Sequence, residues 1–102
     1  MEIKIRLDSM AEQKIYEINY KENLFAINGE IVDRSAIEIY KKLINIIKDW
    51  KESLEDLNIQ DGLSCHISYN ENGEQVNLKF INNFPEGFEE MLEILEGVEI
   101  DG

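Results

Sequence analysis

Two runs that alternate apolar and polar residues, LSCHISY (63–69) and QVNLKFI (75–81), flank the dipeptide Asn72-Gly73. An Asn-Gly pair accepts the positive φ angles of a two-residue hairpin turn, and period-two patterning marks strands that bury one face only. The chain is therefore expected to form at least one antiparallel hairpin whose apolar face something must cover. Residues 2–7, EIKIRL, show the same alternation, with Ile3, Ile5 and Leu7 opposite Glu2, Lys4 and Arg6. QKIYEINY (13–20) follows with Tyr16, Ile18 and Tyr20 on one face, and LFAINGEIVD (24–33) reads as a third strand interrupted by a turn or bulge at Asn28-Gly29.

The period then changes. Ser35 and Glu38 form a capping-box pattern, and Ile37, Tyr40, Leu43, Ile44, Ile47, Trp50, Leu54 and Leu57 recur at helical spacing. The spacing predicts one amphipathic helix of about six turns, stopped before Asp61-Gly62. After the hairpin, Pro85 suits a helix start, Phe88, Met91, Leu92 and Leu95 form an apolar stripe, and Gly97 suits the stop. The expected fold is a single α+β domain over residues 1–102, ordered βββ-α-ββ-α, an antiparallel sheet with its helices packed on one face. Tyr16, Tyr20, Phe25, Tyr40, Trp50, Phe80 and Phe88 are expected in the core, with Phe84 packed as a staple against the last helix.

At 102 residues, 43% of them hydrophobic, the chain can bury a core without disulfides or a metal. It has one cysteine, which suits a reducing compartment. The opening residues lack the apolar run of a secretory leader, and charged residues break every apolar stretch long enough to span a bilayer, so a cytoplasmic protein is expected. Abundant Ile, Asn and Lys fit an A/T-rich bacterial or phage genome.

Catalytic and metal chemistry are not expected. The one cysteine and one histidine are adjacent, Cys65 and His66, and strand neighbours point to opposite faces, so the pair cannot act as nucleophile and base. One Cys and one His cannot assemble the usual structural zinc set. Aligning Gly73 with the invariant glycine of a calcium loop puts Lys79 where a bidentate Glu is required. There is no phosphate loop, and no carboxylate pair stands out among 22 acids. Neither a cofactor nor a metal is expected, and the protein is not expected to be an enzyme.

Charge is the remaining signal. The net charge is −12, yet residues 1–51 hold nine acids and nine bases, while residues 52–102 hold thirteen acids and a single base, Lys79. Such a surface disfavours nucleic acid and anionic membranes, both of which require Lys/Arg patches. Residues 86–102 carry seven carboxylates, Glu86, Glu89, Glu90, Glu93, Glu96, Glu99 and Asp101, and no base. Glu86, Glu89 and Glu90 complement the positive end of the last helix, whereas Glu93 and Glu96 oppose its negative end at a cost of about 0.3–1 kcal/mol each. Glu52, Glu55 and Asp56 would oppose the end of the first helix in the same way.

The segment from Trp50 to Leu95 resembles a diffuse family of small, mostly uncharacterised bacterial proteins. The shared features are a helix ending near a Trp (IIKDW, 46–50), an Asp-Gly turn at 61–62, and INNFPEGFEEML (81–92), with Asn83, Pro85 and Phe88, entering a final helix. Where that family places an aromatic residue after the Asp-Gly, this chain has Ser64-Cys65. The resemblance implies a hairpin-plus-helix fold and an accessory or immunity-type role, and it carries no catalytic residue.

Three expectations follow. In the first, the protein occludes a basic partner protein, a bacterial toxin, through Glu71 and Glu74 of the hairpin turn and Glu86, Glu89, Glu90, Glu93 and Glu96 of the last helix. In the second, it is a phage-encoded inhibitor of a defence nuclease, an anti-CRISPR or nucleic-acid mimic. In the third, the charge serves solubility alone. A monomer or small homo-oligomer is expected, with no nucleic acid or membrane as partner.

Overall fold

A computed structural model describes residues 1–56, 58 and 62–97, with Glu71 described by its backbone only. Leu57, Asp61, Glu99 and Asp101, all invoked above, lie outside the described residues. Four strands come first: β1 (Glu2–Asp8), β2 (Gln13–Asn19), β3 (Leu24–Ile27) and β4 (Glu30–Ile31). Helix α1 (Ala36–Ile47) follows, then β5 (Leu54–Glu55), the hairpin β6 (Ser64–Glu71) and β7 (Glu74–Ile81), and helix α2 (Phe88–Glu96). The sheet order is β4-β3-β2-β1-β6-β7-β5.

The α+β class is as expected, but the order is ββββ-α-βββ-α, and the sheet is mixed because β5 pairs parallel to β7. Two local causes account for the extra strands. Asn28 and Gly29 adopt φ 51° and 81°, so the chain folds back as a full hairpin instead of bulging within one strand. The expected six-turn helix also stops at Ile47, where Lys48 N–H donates to the Ile44 carbonyl and Trp50 N–H to that of Ile47. The next residues are captured by the free edge of β7. Asp56 N–H donates to the Ile81 carbonyl at 2.7 Å, and the Ser53 hydroxyl accepts from Lys79 N–H at 2.9 Å. Satisfying that edge outweighs extending a helix whose end would carry Glu52, Glu55 and Asp56 against its dipole. Those three acids therefore lie outside α1.

The register puts Ile3, Ile5, Leu7, Tyr16, Ile18, Phe25, Cys65, Ile67, Tyr69, Leu78 and Phe80 on one face, all buried. Both helices cover that face. α1 contributes Ala36, Ile39, Tyr40, Leu43 and Ile47, its stripe rotated so that Ile39 is buried where Ile37 was expected. α2 contributes Phe88, Met91 and Leu95. Trp50 is buried beyond the end of α1, edge-on to Phe80 at 5.5 Å, with its indole N–H donating to the Glu86 carbonyl at 3.0 Å. Phe84 stacks on Phe88 at 4.2 Å, but with Gly87 as the cap of α2 this pair is not the N′–N4 staple expected.

Cys65 is fully buried, and burial pushes its thiol up to about 12. At pH 8 a thiol reagent should label it only as fast as the chain opens. Labelling of the folded protein at the rate of a free thiol would show that this part of the core is not closed.

Candidate interaction surface

α2 lies antiparallel to α1. A Cβ placed on Gly87, at the start of α2, would lie 3.1 Å from the Ile46 side chain near the end of α1. At the opposite end, Arg34 precedes α1 and reaches the last turn of α2. Its guanidinium donates to the Leu95 carbonyl at 2.8 Å and the Ile94 carbonyl at 2.6 Å, and lies 5.2 Å from the centre of the Phe25 ring. α2 has no basic residue in its own last turn, and Arg34 supplies the missing cation from 60 residues upstream. Gly97 closes the helix in the left-handed conformation at φ 75°, where a side chain would be strained and would crowd Arg34.

Arg34 changes the standing of Glu93 and Glu96, since the dipole they were read as opposing is met by a guanidinium. The two residues then part ways. Glu93 is half-buried and, with Arg34, Glu38 and Lys42, lines a groove of about 260 Å³ between the start of α1 and the end of α2. Glu96 is exposed beside the β1–β2 turn, in a cleft shared with Leu7, Glu12 and Lys14.

Glu86, Glu89 and Glu90 are also exposed. Among the described residues none of these acids takes part in an ion pair. The pairs that form lie elsewhere: Arg6 with Asp8 at 2.7 Å, Lys14 with Glu12 at 3.6 Å and Lys79 with Glu55 at 3.6 Å. Asp8 is also bound by Gln13, and these two side-chain hydrogen bonds, that of Arg6 foremost, hold its carboxyl below the usual range.

The sequence-predicted site divides in two. Glu71 and Glu74 are directly opposed residues that flank the Asn72-Gly73 turn. They stand at the far end of β7 from Ile81, seven residues or about 24 Å along the strand. α2 lies at the other end: Phe88 approaches Trp50, which packs on Phe80, and Leu92 and Glu96 share a cleft with Leu7. The hairpin acids and the helix acids therefore form separate patches. Sequence reasoning missed Arg34, because nothing local ties a residue before α1 to the end of α2.

Among the described residues no group of three His, Cys, Asp or Glu side chains is placed to hold a metal ion. No described helix is long and apolar enough to cross a membrane. Cys65 and His66 point to opposite faces of β6, the histidine lying between Arg6 and Lys79 in the register. In comparisons with known proteins the chain matches no family model, no curated protein and no solved structure at a significant level.

Proposed function

We propose that this protein binds and occludes a basic partner protein through the exposed carboxylates of α2, and that the partner is a bacterial toxin against which it confers immunity. One observation carries the reading: Glu89, Glu90 and Glu96 on α2, and Glu86 just before it, are exposed and unpaired among the described residues. Arg34, the cation placed at the end of that helix, is spent on its backbone carbonyls. Clustered charge of one sign raises the encounter rate with an opposite surface by roughly 10–1000-fold and suppresses wrong partners. The reading assigns no catalytic residue and no cofactor, and it places the protein in the cytoplasm.

The test follows from how the acids divide. Glu89, Glu90 and Glu96 are exposed, whereas Glu93 is half-buried and shares a groove with Arg34 and Lys42. Reversing the first three while keeping Glu93 alters the surface and spares the packing. The wild-type protein should capture a basic protein from a lysate of its host at low salt and release it as salt rises. The E89K/E90K/E96K variant, folded by circular dichroism, should fail to retain that protein. Equal retention by the variant would remove α2 from the interface. Competition between the protein and DNA or RNA for one site on the partner would transfer the reading to a phage-encoded nuclease inhibitor.

A further inference from the structure

β7 is paired along its whole length on one side and only near its end on the other. β6 takes the first side through every residue from Glu74 to Ile81. β5 meets the second side at Phe80 and Ile81, and the Ser53 hydroxyl accepts from the Lys79 N–H just before them. Glu71 and Glu74 close the two-residue turn, so Glu74, Val76, Leu78 and Phe80 exchange backbone hydrogen bonds with β6. The N–H and C=O of Gln75 and Asn77 point the other way, as do the Lys79 N–H toward Ser53 and the Ile81 carbonyl toward Asp56. Among the described residues nothing pairs with the backbone N–H or C=O of Gln75 or Asn77. Proteins blunt such an edge with Lys, Pro or a bulge. The β7 ladder has no bulge and no Pro, and its one base, Lys79, pairs with Glu55 at 3.6 Å.

Charge decides what fits this edge. Glu74 is exposed at one end of the open run, and Glu52, next to Ser53, is exposed at the other. Neither takes part in an ion pair among the described residues. A second copy is disfavoured. The antiparallel register that joins Gln75 to Asn77 on both strands sets each copy's Glu74 opposite the other's Leu78, one residue from the Lys79–Ser53 contact and so near Glu52. Like charges then meet at both ends, in a chain whose net charge is already −12. A strand bearing Lys or Arg meets attraction at the same two places. We propose that the open edge of β7, Glu74 to Leu78, takes up an extended cationic segment as an added strand, its backbone pairing with Gln75 and Asn77 and its bases meeting Glu74 and Glu52. The run spans about 14 Å, which sets the two bases about four residues apart. The proposal rests on the reading above for the basic partner that supplies the segment, and gives that partner a contact separate from α2.

Amide hydrogen exchange read by NMR tests the edge, with a capped heptapeptide of Thr and Val, Lys at its second and sixth positions, as the probe. In the free protein the Gln75 and Asn77 amides should exchange fast, and those of Val76 and Leu78 slowly. A millimolar excess of the peptide should slow Gln75 and Asn77 by about tenfold or more. Asn77→Pro, which removes an outward N–H and spares the β6 ladder, should abolish the slowing at Gln75. E52K/E74K, which leaves the backbone intact, should weaken the peptide by about tenfold or more. Trp50 emission verifies that each variant is folded. E89K/E90K/E96K should bind the peptide as the wild type does, so failure of the α2 reading and failure of this one are told apart. Unchanged exchange at Gln75 and Asn77 overturns the proposal, as does equal binding of the peptide with Glu in place of Lys. Protection that grows with protein concentration and no peptide gives the edge to a second copy and overturns it too. Loss of the peptide in E89K/E90K/E96K would assign it to α2 instead.

Discussion

Replacing Arg34 with alanine should destabilise the protein by about 2–4 kcal/mol, lowering the melting temperature by roughly 10–20 °C for a domain of this size. The guanidinium makes two charge-assisted hydrogen bonds, to the Ile94 and Leu95 carbonyls, and packs over Phe25. Hydrogen bonds to charged groups are worth about 1.5–3 kcal/mol each, and the ring contact adds about 0.5–1 kcal/mol, discounted here because Arg34 is half-exposed. Removing it also exposes the negative end of α2 to Glu93 and Glu96 with no compensating cation. Lysine should restore under half of the loss: it returns the charge but neither the two-pronged geometry nor the stacking. Amide exchange should accelerate in the last turn of α2 more than in the middle of α1. Should Arg34→Ala cost no more than Arg6→Ala, a surface control, the capping role is wrong.

Truncating Trp50 to alanine should cost about 3–5 kcal/mol, the usual range for removing a large buried aromatic. Against a typical total of roughly 5–15 kcal/mol, that variant should be at or near global unfolding. Trp50 joins three elements that the sequence keeps apart: the end of α1, Phe80 of β7 and Phe88 of α2. Trp50→Phe separates packing from hydrogen bonding. It retains a ring against Phe80 but leaves the Glu86 carbonyl without its donor, for a loss of about 1–3 kcal/mol. Chemical denaturation followed by circular dichroism measures both variants, since neither retains a tryptophan to fluoresce. A Trp50→Ala protein with an unaltered midpoint would mean that the indole does not hold these elements together.

These two residues show where the sequence was legible. Alternation located β1, β2, β6 and β7, because a half-buried strand writes its burial directly into period two. The stripe of α2 and its Gly97 stop were equally plain. Trp50 reads as a core residue but within a helix, because Leu54 and Leu57 continue the three-to-four spacing by coincidence. What ended the helix was an unpaired edge of β7, a strand some 25 residues away that local pattern cannot register. β4 was missed for a different reason: two residues are too few to show a period, so Asn28-Gly29 could be read as either bulge or turn. Arg34 was invisible because its partners are backbone carbonyls, which carry no sequence signature.

That last omission bears on function. From sequence, Glu93 and Glu96 are the acids that oppose the negative end of their helix. Glu93 lines the groove beside α1 with Arg34, and the exposed acids are Glu86, Glu89, Glu90 and Glu96. The charge imbalance also acquires a place in the fold. The neutral first half builds β4-β3-β2-β1 and α1, and the acidic second half builds β5, β6, β7 and α2. Glu71 and Glu74 remain apart from the helix acids, so a partner compact enough to cover α2 need not touch the hairpin turn.

The most direct measurement of the account is the association rate of the captured partner, followed by stopped flow as ionic strength is raised. The wild-type rate should fall by about tenfold or more between low and high salt while the dissociation rate changes little. E89K/E90K/E96K should start near the high-salt rate and show almost no salt dependence. A wild-type rate that is flat with salt and matched by the variant would contradict the claim that the carboxylates of α2 recruit a basic partner.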